Sequence, residues 1–138
     1  MIEPALFALV TGNAGVAALI ATRMYPEVLP QAPTYPAITY TVVTGESHYA
    51  MQAPSGLARI RVQFDLFTQR KADGVALEKA FMAAVSGFRG TVGSPPVQIQ
   101  GAFRVMEVNA FQSDLDKAGP KVRRKTIDFE IWHRESYT

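Results

Sequence analysis

The 138-residue chain contains no cysteine. That one absence excludes disulfides, thiolate catalysis and Cys-ligated zinc together. A chain that folds without such staples suits a reducing cytosol, where disulfides would not form. Histidine is nearly as scarce, with two in the whole sequence, His48 and His133. They lie far apart and lack the i, i+4 spacing of a helical metal pair. His48 stands beside Glu46 and Ser47, but the members of a Ser-His-acid triad come together from separate elements rather than from neighbouring positions. Both histidines therefore read as surface or strand-end residues.

Phosphate-binding glycine patterns are missing too: neither G-x-G-x-x-G nor the P-loop occurs. Gly12-Asn13-Ala14-Gly15 precedes a helical segment, but with no preceding strand and no Lys it reads as a helix–helix turn. Asp114, Asp116 and Asp128 do not follow a calcium-loop spacing, and Lys117 adjoins the first two. No catalytic residue, cofactor site or metal site is expected.

Charge of one sign is lacking as well. The net is +2, and it is unevenly spread: residues 1–57 carry one base (Arg23) and three acids, and residues 58–138 carry the other thirteen bases and nine acids. A basic half so mixed with acids is not a nucleic-acid footprint, which needs clustered, unopposed Lys and Arg. The densest group, Lys121, Arg123, Arg124 and Lys125, splits between the two faces of a strand. Exposed aromatics for base stacking do not accompany it. The basic bias of residues 58–138 as a whole suits a charge-complementary face between protein copies.

From Pro4 to Thr22 there is no charged residue, a length that would span a bilayer. Thr11-Gly12-Asn13 interrupts that run, and no Lys or Arg precedes it as a signal peptide requires. Two short helices are expected instead of a membrane segment.

The patterning places the remaining elements. Pro4 marks a first helix, with Ile2, Leu6, Phe7 and Val10 on one face. Asn13 caps a second, with Val16, Leu19 and Ile20 on its apolar side. Pro26, Pro30, Pro33 and Pro36 make the next segment stiff, extended and unfit for a central strand. Ala37–Thr44 and Leu57–Phe67 read as strands, joined by a long connection over Gly45–Gly56. In the second, Ile60, Val62, Phe64 and Leu66 alternate with Arg59, Arg61, Gln63 and Asp65, which marks an antiparallel strand with one wet face.

Asp73 is expected to cap a helix running to Gly87, with the stripe Leu77, Phe81, Ala84, Val85 and Phe88. Thr91–Pro96 reads as a turn, Val97–Phe111 as a strand with Gly101 at a bulge, and Gln112–Pro120 as a polar loop. Lys121–Arg134 closes the chain as a strand with Ile127, Phe129 and Ile131 inward. Arg59 and Arg61 are placed to pair with Asp128 and Glu130 across the sheet.

The fold class is α+β in the order α-α-β-β-α-β-β. A mainly antiparallel sheet of about four strands is packed by a central helix, with two short N-terminal helices, in a single domain over residues 1–138.

The segments "GVAALIATRMYP", "LPQ", "YPAITYTVV", "ARIRVQFDLFTQ", "ADGVALEKAFMAAV" and "KTIDFEIWHR", in that order and spacing, resemble the tail terminator, or tail completion, proteins of long-tailed phages and phage-like gene transfer particles. The resemblance covers most of the chain. It implies a protein made in the bacterial host cytoplasm and carried at the tail–head interface of the virion, where copies form a hexameric ring that caps the tail tube. Its partners would be further copies of itself, the tail tube protein and a head–tail connector or head-closure protein, with neither nucleic acid nor membrane.

Candidate interaction loops are then Gly45–Gly56, with Glu46, His48, Tyr49, Met51 and Pro54, and Gln112–Pro120, with Asp114, Asp116 and Lys117. The Pro-rich stretch, with Tyr25, Pro26, Leu29, Pro30 and Tyr35, is a candidate inter-subunit arm. A tail tube or head-closure subunit is the alternative reading. A small α+β ligand-binding protein or enzyme is a further one.

Overall fold

A computed structural model describes residues 2–49, 54–93, 96–112 and 122–134; of these, the side chains of 45–49, 54–57 and 109–112 are outside the description. The elements are α1 (Glu3–Thr11), α2 (Ala14–Ile20), β1 (Met24–Pro26), β2 (Ala37–Tyr49), β3 (Pro54–Thr68), α3 (Lys71–Val85), β4 (Gly90–Val92), β5 (Val97–Gln112) and β6 (Val122–Arg134). The architecture is α+β, as the patterning predicts, but the sheet has six strands in the order β1-β2-β3-β6-β5-β4 rather than about four. Both extra strands are three-residue edge pieces. β1 lies parallel to β2 at Ile38–Tyr40, and β4 antiparallel to β5 at Val97–Ile99. Segments that short carry no readable alternation, so the sequence shows β1 as the start of a loop and β4 as a turn.

The four long strands are antiparallel throughout. Their ladders place Arg61 beside Glu130 and Gln63 beside Asp128, and Arg61 reaches diagonally to Asp128 at 2.9 Å. The bulge expected at Gly101 is present, since the register slips between Ile99 and Gly101. Three further slips, at Val42/Thr44 and His48/Tyr49 in β2 and at Arg104/Met106 in β5, have no signature in composition.

All three helices cover one face of the sheet. Leu6, Val10, Val16, Ile20, Leu77, Phe81 and Val85 meet Ile38, Val62, Phe64, Ile127, Phe129 and Ile131 in one buried cluster. At its centre Phe81 of α3 sits edge-on to Phe64 of β3 (4.9 Å between ring centres) and Phe129 of β6 (5.9 Å). This is the helix-on-sheet contact that the two alternations and the α3 stripe require.

Asn13 caps α2 as expected, accepting a hydrogen bond from the Val16 amide at 3.2 Å. Asp73 does not cap α3: the helix begins two residues earlier, with Arg70 in the cap position and no side-chain cap. Asp73 instead lies in the first turn, where its charge opposes the positive end of the helix dipole. Gly87 ends α3 with φ of +74°, a conformation that suits glycine, and its amide bonds the Ala102 carbonyl at 2.8 Å. No described helix is long and apolar enough to cross a membrane, and α1 and α2 meet at an 89° bend.

The Pro-rich segment is tied to its own subunit at both ends. Met24 is buried, and β1 pairs with the chain's own β2. Tyr25 and Pro26, two residues of the candidate inter-subunit arm, are thus residues of an edge strand on the chain's own sheet. At the far end Arg23 donates from Nε to the Pro36 carbonyl (3.0 Å) and from Nη2 to the Leu19 carbonyl at the end of α2 (2.9 Å). The one base of the N-terminal half therefore clamps helix, edge strand and loop together. Arg23→Ala is expected to lower stability by about 1–2 kcal/mol, because two carbonyls lose a charged donor. It should also speed chymotryptic cleavage between Tyr25 and Tyr35. Lys in its place should not rescue either effect, since an ammonium lacks the planar fork that spans both acceptors.

Candidate assembly surfaces

The two hairpins that flank the central strands turn at opposite ends of the sheet. Tyr49 pairs with Pro54, and on the same side β3 and β6 meet at Leu57 and Arg134. At the other end Gln112 pairs with Val122, and Thr68 with Arg123. Antiparallel alternation dictates this, because β2–β3 and β5–β6 are joined on strands of opposite direction.

The stretch Gly45–Gly56 is therefore mostly ladder. Glu46, His48 and Tyr49 belong to β2 and Pro54 to β3, a correction to their reading as a long loop. Ser, His, Tyr and Gly in series hid the alternation. Met51, Asp114, Asp116 and Lys117 lie outside the described residues. Of the arm, Pro30 is exposed while Leu29 and Tyr35 are half-buried.

The sheet face away from the helices was expected to be wet, yet it holds two buried carboxylates, Asp65 and Asp128 (4% and 5% exposed). Asp65 accepts from Arg124 Nε (3.1 Å), Thr126 Oγ1 (2.5 Å) and Gln63 Nε2 (3.0 Å). Asp128 accepts from Nε and Nη2 of Arg61 (3.1 and 2.9 Å). Neighbouring long side chains lie over the acids and shield them: Arg124 also covers the Phe67 ring, and Arg59 the Trp132 ring. Alternation reports which face a residue takes. It does not report whether its neighbours cover it.

Beside this network the same face turns apolar. Phe103, Met106 and Val108 of β5 stand opposite Glu130, Asp128 and Thr126 of β6, and are 56%, 47% and 47% exposed. On the helix side, Lys125 reaches Glu78 of α3 (2.6 Å) and Glu107 of β5 (3.5 Å), just past the end of the core. The basic group of β6 is thus partly consumed by intramolecular pairs.

Tyr40 is buried at the base of β2, and that burial, with Glu3 nearby, raises its hydroxyl above the ordinary tyrosine range. A shallow groove of about 410 Å³ between α1, α3 and β4 is lined by Leu9, Asn13, Ala84, Phe88 and Val92. Its one polar side chain is already used as the cap of α2. Among the described residues no three His, Asp or Glu side chains gather as metal ligands.

The described surface thus offers carboxylates held by arginines, an apolar strand face and hairpins at both ends of the sheet. The model of the tail completion protein gp17 family matches residues 4–134, and the chain belongs to that family. It is therefore a structural component of a phage-type virion tail. No curated protein matches the chain. Among solved structures it is similar to a chain described as "Virion of native gene transfer agent (GTA) particle", at 18% identity, with 96% of this chain and 97% of that chain covered and a TM-score of 0.62. That likeness establishes a shared fold.

Proposed function

We propose that this protein is a tail terminator: copies assemble into a hexameric ring that sits on the finished tail tube, stops its growth and presents the surface to which the filled head docks. The observation that carries this reading is the placement of the two hairpins at opposite ends of one sheet. A terminator must bind different partners along one axis, the tube below and the head above. With the strands set along that axis, each hairpin serves one partner. Nothing in this role calls for chemistry; it calls for an interface whose rotation closes and two unlike ends.

The test is assembly. Purified protein, alone or with tail tubes, is expected to form a hexamer of the 15.1 kDa chain and to halt tube elongation. Replacing residues 50–53 by Asn-Gly, a compact hairpin turn, is expected to leave folding intact and abolish capping. A protein that stays monomeric and leaves tube length unchanged would refute the reading. Electron microscopy of a null mutant separates the neighbouring roles. Overlong tails or unjoined heads mark a terminator, whereas complete absence of tails marks a tube subunit.

A further inference from the structure

Among the described residues, both flanks of the sheet are left open over most of their length. β1 covers β2 at Ile38–Tyr40, and from Thr41 to Tyr49 no described strand pairs with that edge. β4 covers β5 at Val97–Ile99, the Gly87 amide takes the Ala102 carbonyl, and from Phe103 to Gln112 the outer edge is again bonded to no described strand. Each open stretch presents a row of backbone donors and acceptors, the usual template for pairing with another chain.

Proteins that keep such edges apart guard them with lysine, proline or inward charge. Here the residues are Val42, Val43 and Thr44 on one flank, with Glu46 the single Asp, Glu, Lys or Arg of that stretch, and Phe103, Val105, Met106 and Val108 on the other. Val43 is 50% exposed and Val105 48%. The two charged residues of the β5 stretch, Arg104 and Glu107, are held by each other at 3.2 Å, and Glu107 also by Lys125. They do not guard the edge.

We infer that these two edges are made for each other: the free edge of β5 in one copy pairs, antiparallel, with the free edge of β2 in the next. This inference rests on the ring reading and names the contact that builds the ring. Strand direction supports it. β2, β3, β6 and β5 alternate, so β5 runs opposite to β2. A rotation about an axis along the strands therefore brings β2 of the next copy against β5 with the antiparallel alternation unbroken. Joining unlike edges is heterologous, the type that closes into rings, whereas β5 against β5 would stop at a dimer. The register slips at Val42/Thr44 and Arg104/Met106 fall on these same two strands. Bulges bend and twist a strand, so edge-to-edge repetition curves instead of running on flat.

The chain has no cysteine, so introduced thiols are the only ones. Val43→Cys is combined in turn with Val105→Cys, Met106→Cys and Val108→Cys, which scans the register. The assembled protein, free or on tail tubes, is then oxidised. At least one double variant is expected to give a covalent ladder up to the full ring on non-reducing gels, while each single variant stays monomeric there. A dimer from Val105→Cys, Met106→Cys or Val108→Cys alone would show like edges meeting and overturn the inference. A ring of correct mass that none of the three doubles cross-links would overturn it and leave the ring reading standing. A protein monomeric even on tail tubes would overturn both. As an independent check, Val43→Lys with Val108→Lys is expected to lose the ring while keeping the wild-type circular dichroism spectrum and melting temperature; an intact ring would contradict edge pairing.

Discussion

Phe81→Ala is expected to lower the free energy of unfolding by about 3–5 kcal/mol. The ring is fully buried and forms one corner of a triangle with Phe64 and Phe129, whose own centres lie 5.9 Å apart. It is the side chain through which α3 grips the two central strands. Truncation removes its transfer free energy, leaves a cavity that three separate elements cannot jointly close, and ends two edge-to-face contacts. Domains of this size have a total stability of about 5–15 kcal/mol, so the variant should be partly unfolded at 37 °C. Urea or guanidinium denaturation measures the effect, as a lower midpoint at unchanged slope. Phe81→Leu keeps most of the volume and should cost well under half as much. A loss below about 1 kcal/mol for the alanine variant would mean that α3 is not anchored at this point.

Asp65→Ala is expected to cost about 2–3 kcal/mol, from the opposite face of the same sheet. Removing the carboxylate strips Thr126 and Gln63 of an acceptor and Arg124 of its counter-charge. A fully buried cation so abandoned would cost more, but the Arg124 side chain is 32% exposed and regains water. Asp65→Asn preserves shape and one acceptor, and should cost clearly less than alanine. The combination Asp65→Ala with Arg124→Met should destabilise by less than the sum of the singles, because the pair is one interaction. Strict additivity in that cycle would show that the 3.1 Å contact carries no energy.

Much of this molecule could be read from its residues. The alternation of Ile60, Val62 and Phe64, and of Ile127, Phe129 and Ile131, announces two strands with one apolar face. The stripe through Leu77, Phe81 and Val85 announces the helix that covers them. Asn13 announces a cap and Gly101 a bulge, and the structure has both. These features are local: each depends on spacing within one segment, and spacing is written in the chain. The expected surfaces were less legible. Glu46, His48, Tyr49 and Pro54 read as a loop because a polar strand whose pairing partners lie elsewhere shows no contrast between its faces. β1 and β4 were invisible for a related reason: three residues become a strand when a neighbour supplies the hydrogen bonds, not through any preference of their own.

By itself, then, the sequence determined the α+β class, the layer of helices on one sheet face, the composition of the core, and the resemblance to tail completion proteins that the family match now makes definite. What the tertiary structure alone decided is the arrangement of surfaces. It set the two hairpins at opposite ends of the sheet, buried Asp65 and Asp128 beneath their arginines, tied the proline segment to its own β2 through β1 and Arg23, and left long flanks of β2 and β5 that no described strand pairs with. Each of these depends on which strands lie side by side and where each ladder stops. That is a property of contacts between residues distant in the chain, and no spacing within a single segment encodes it.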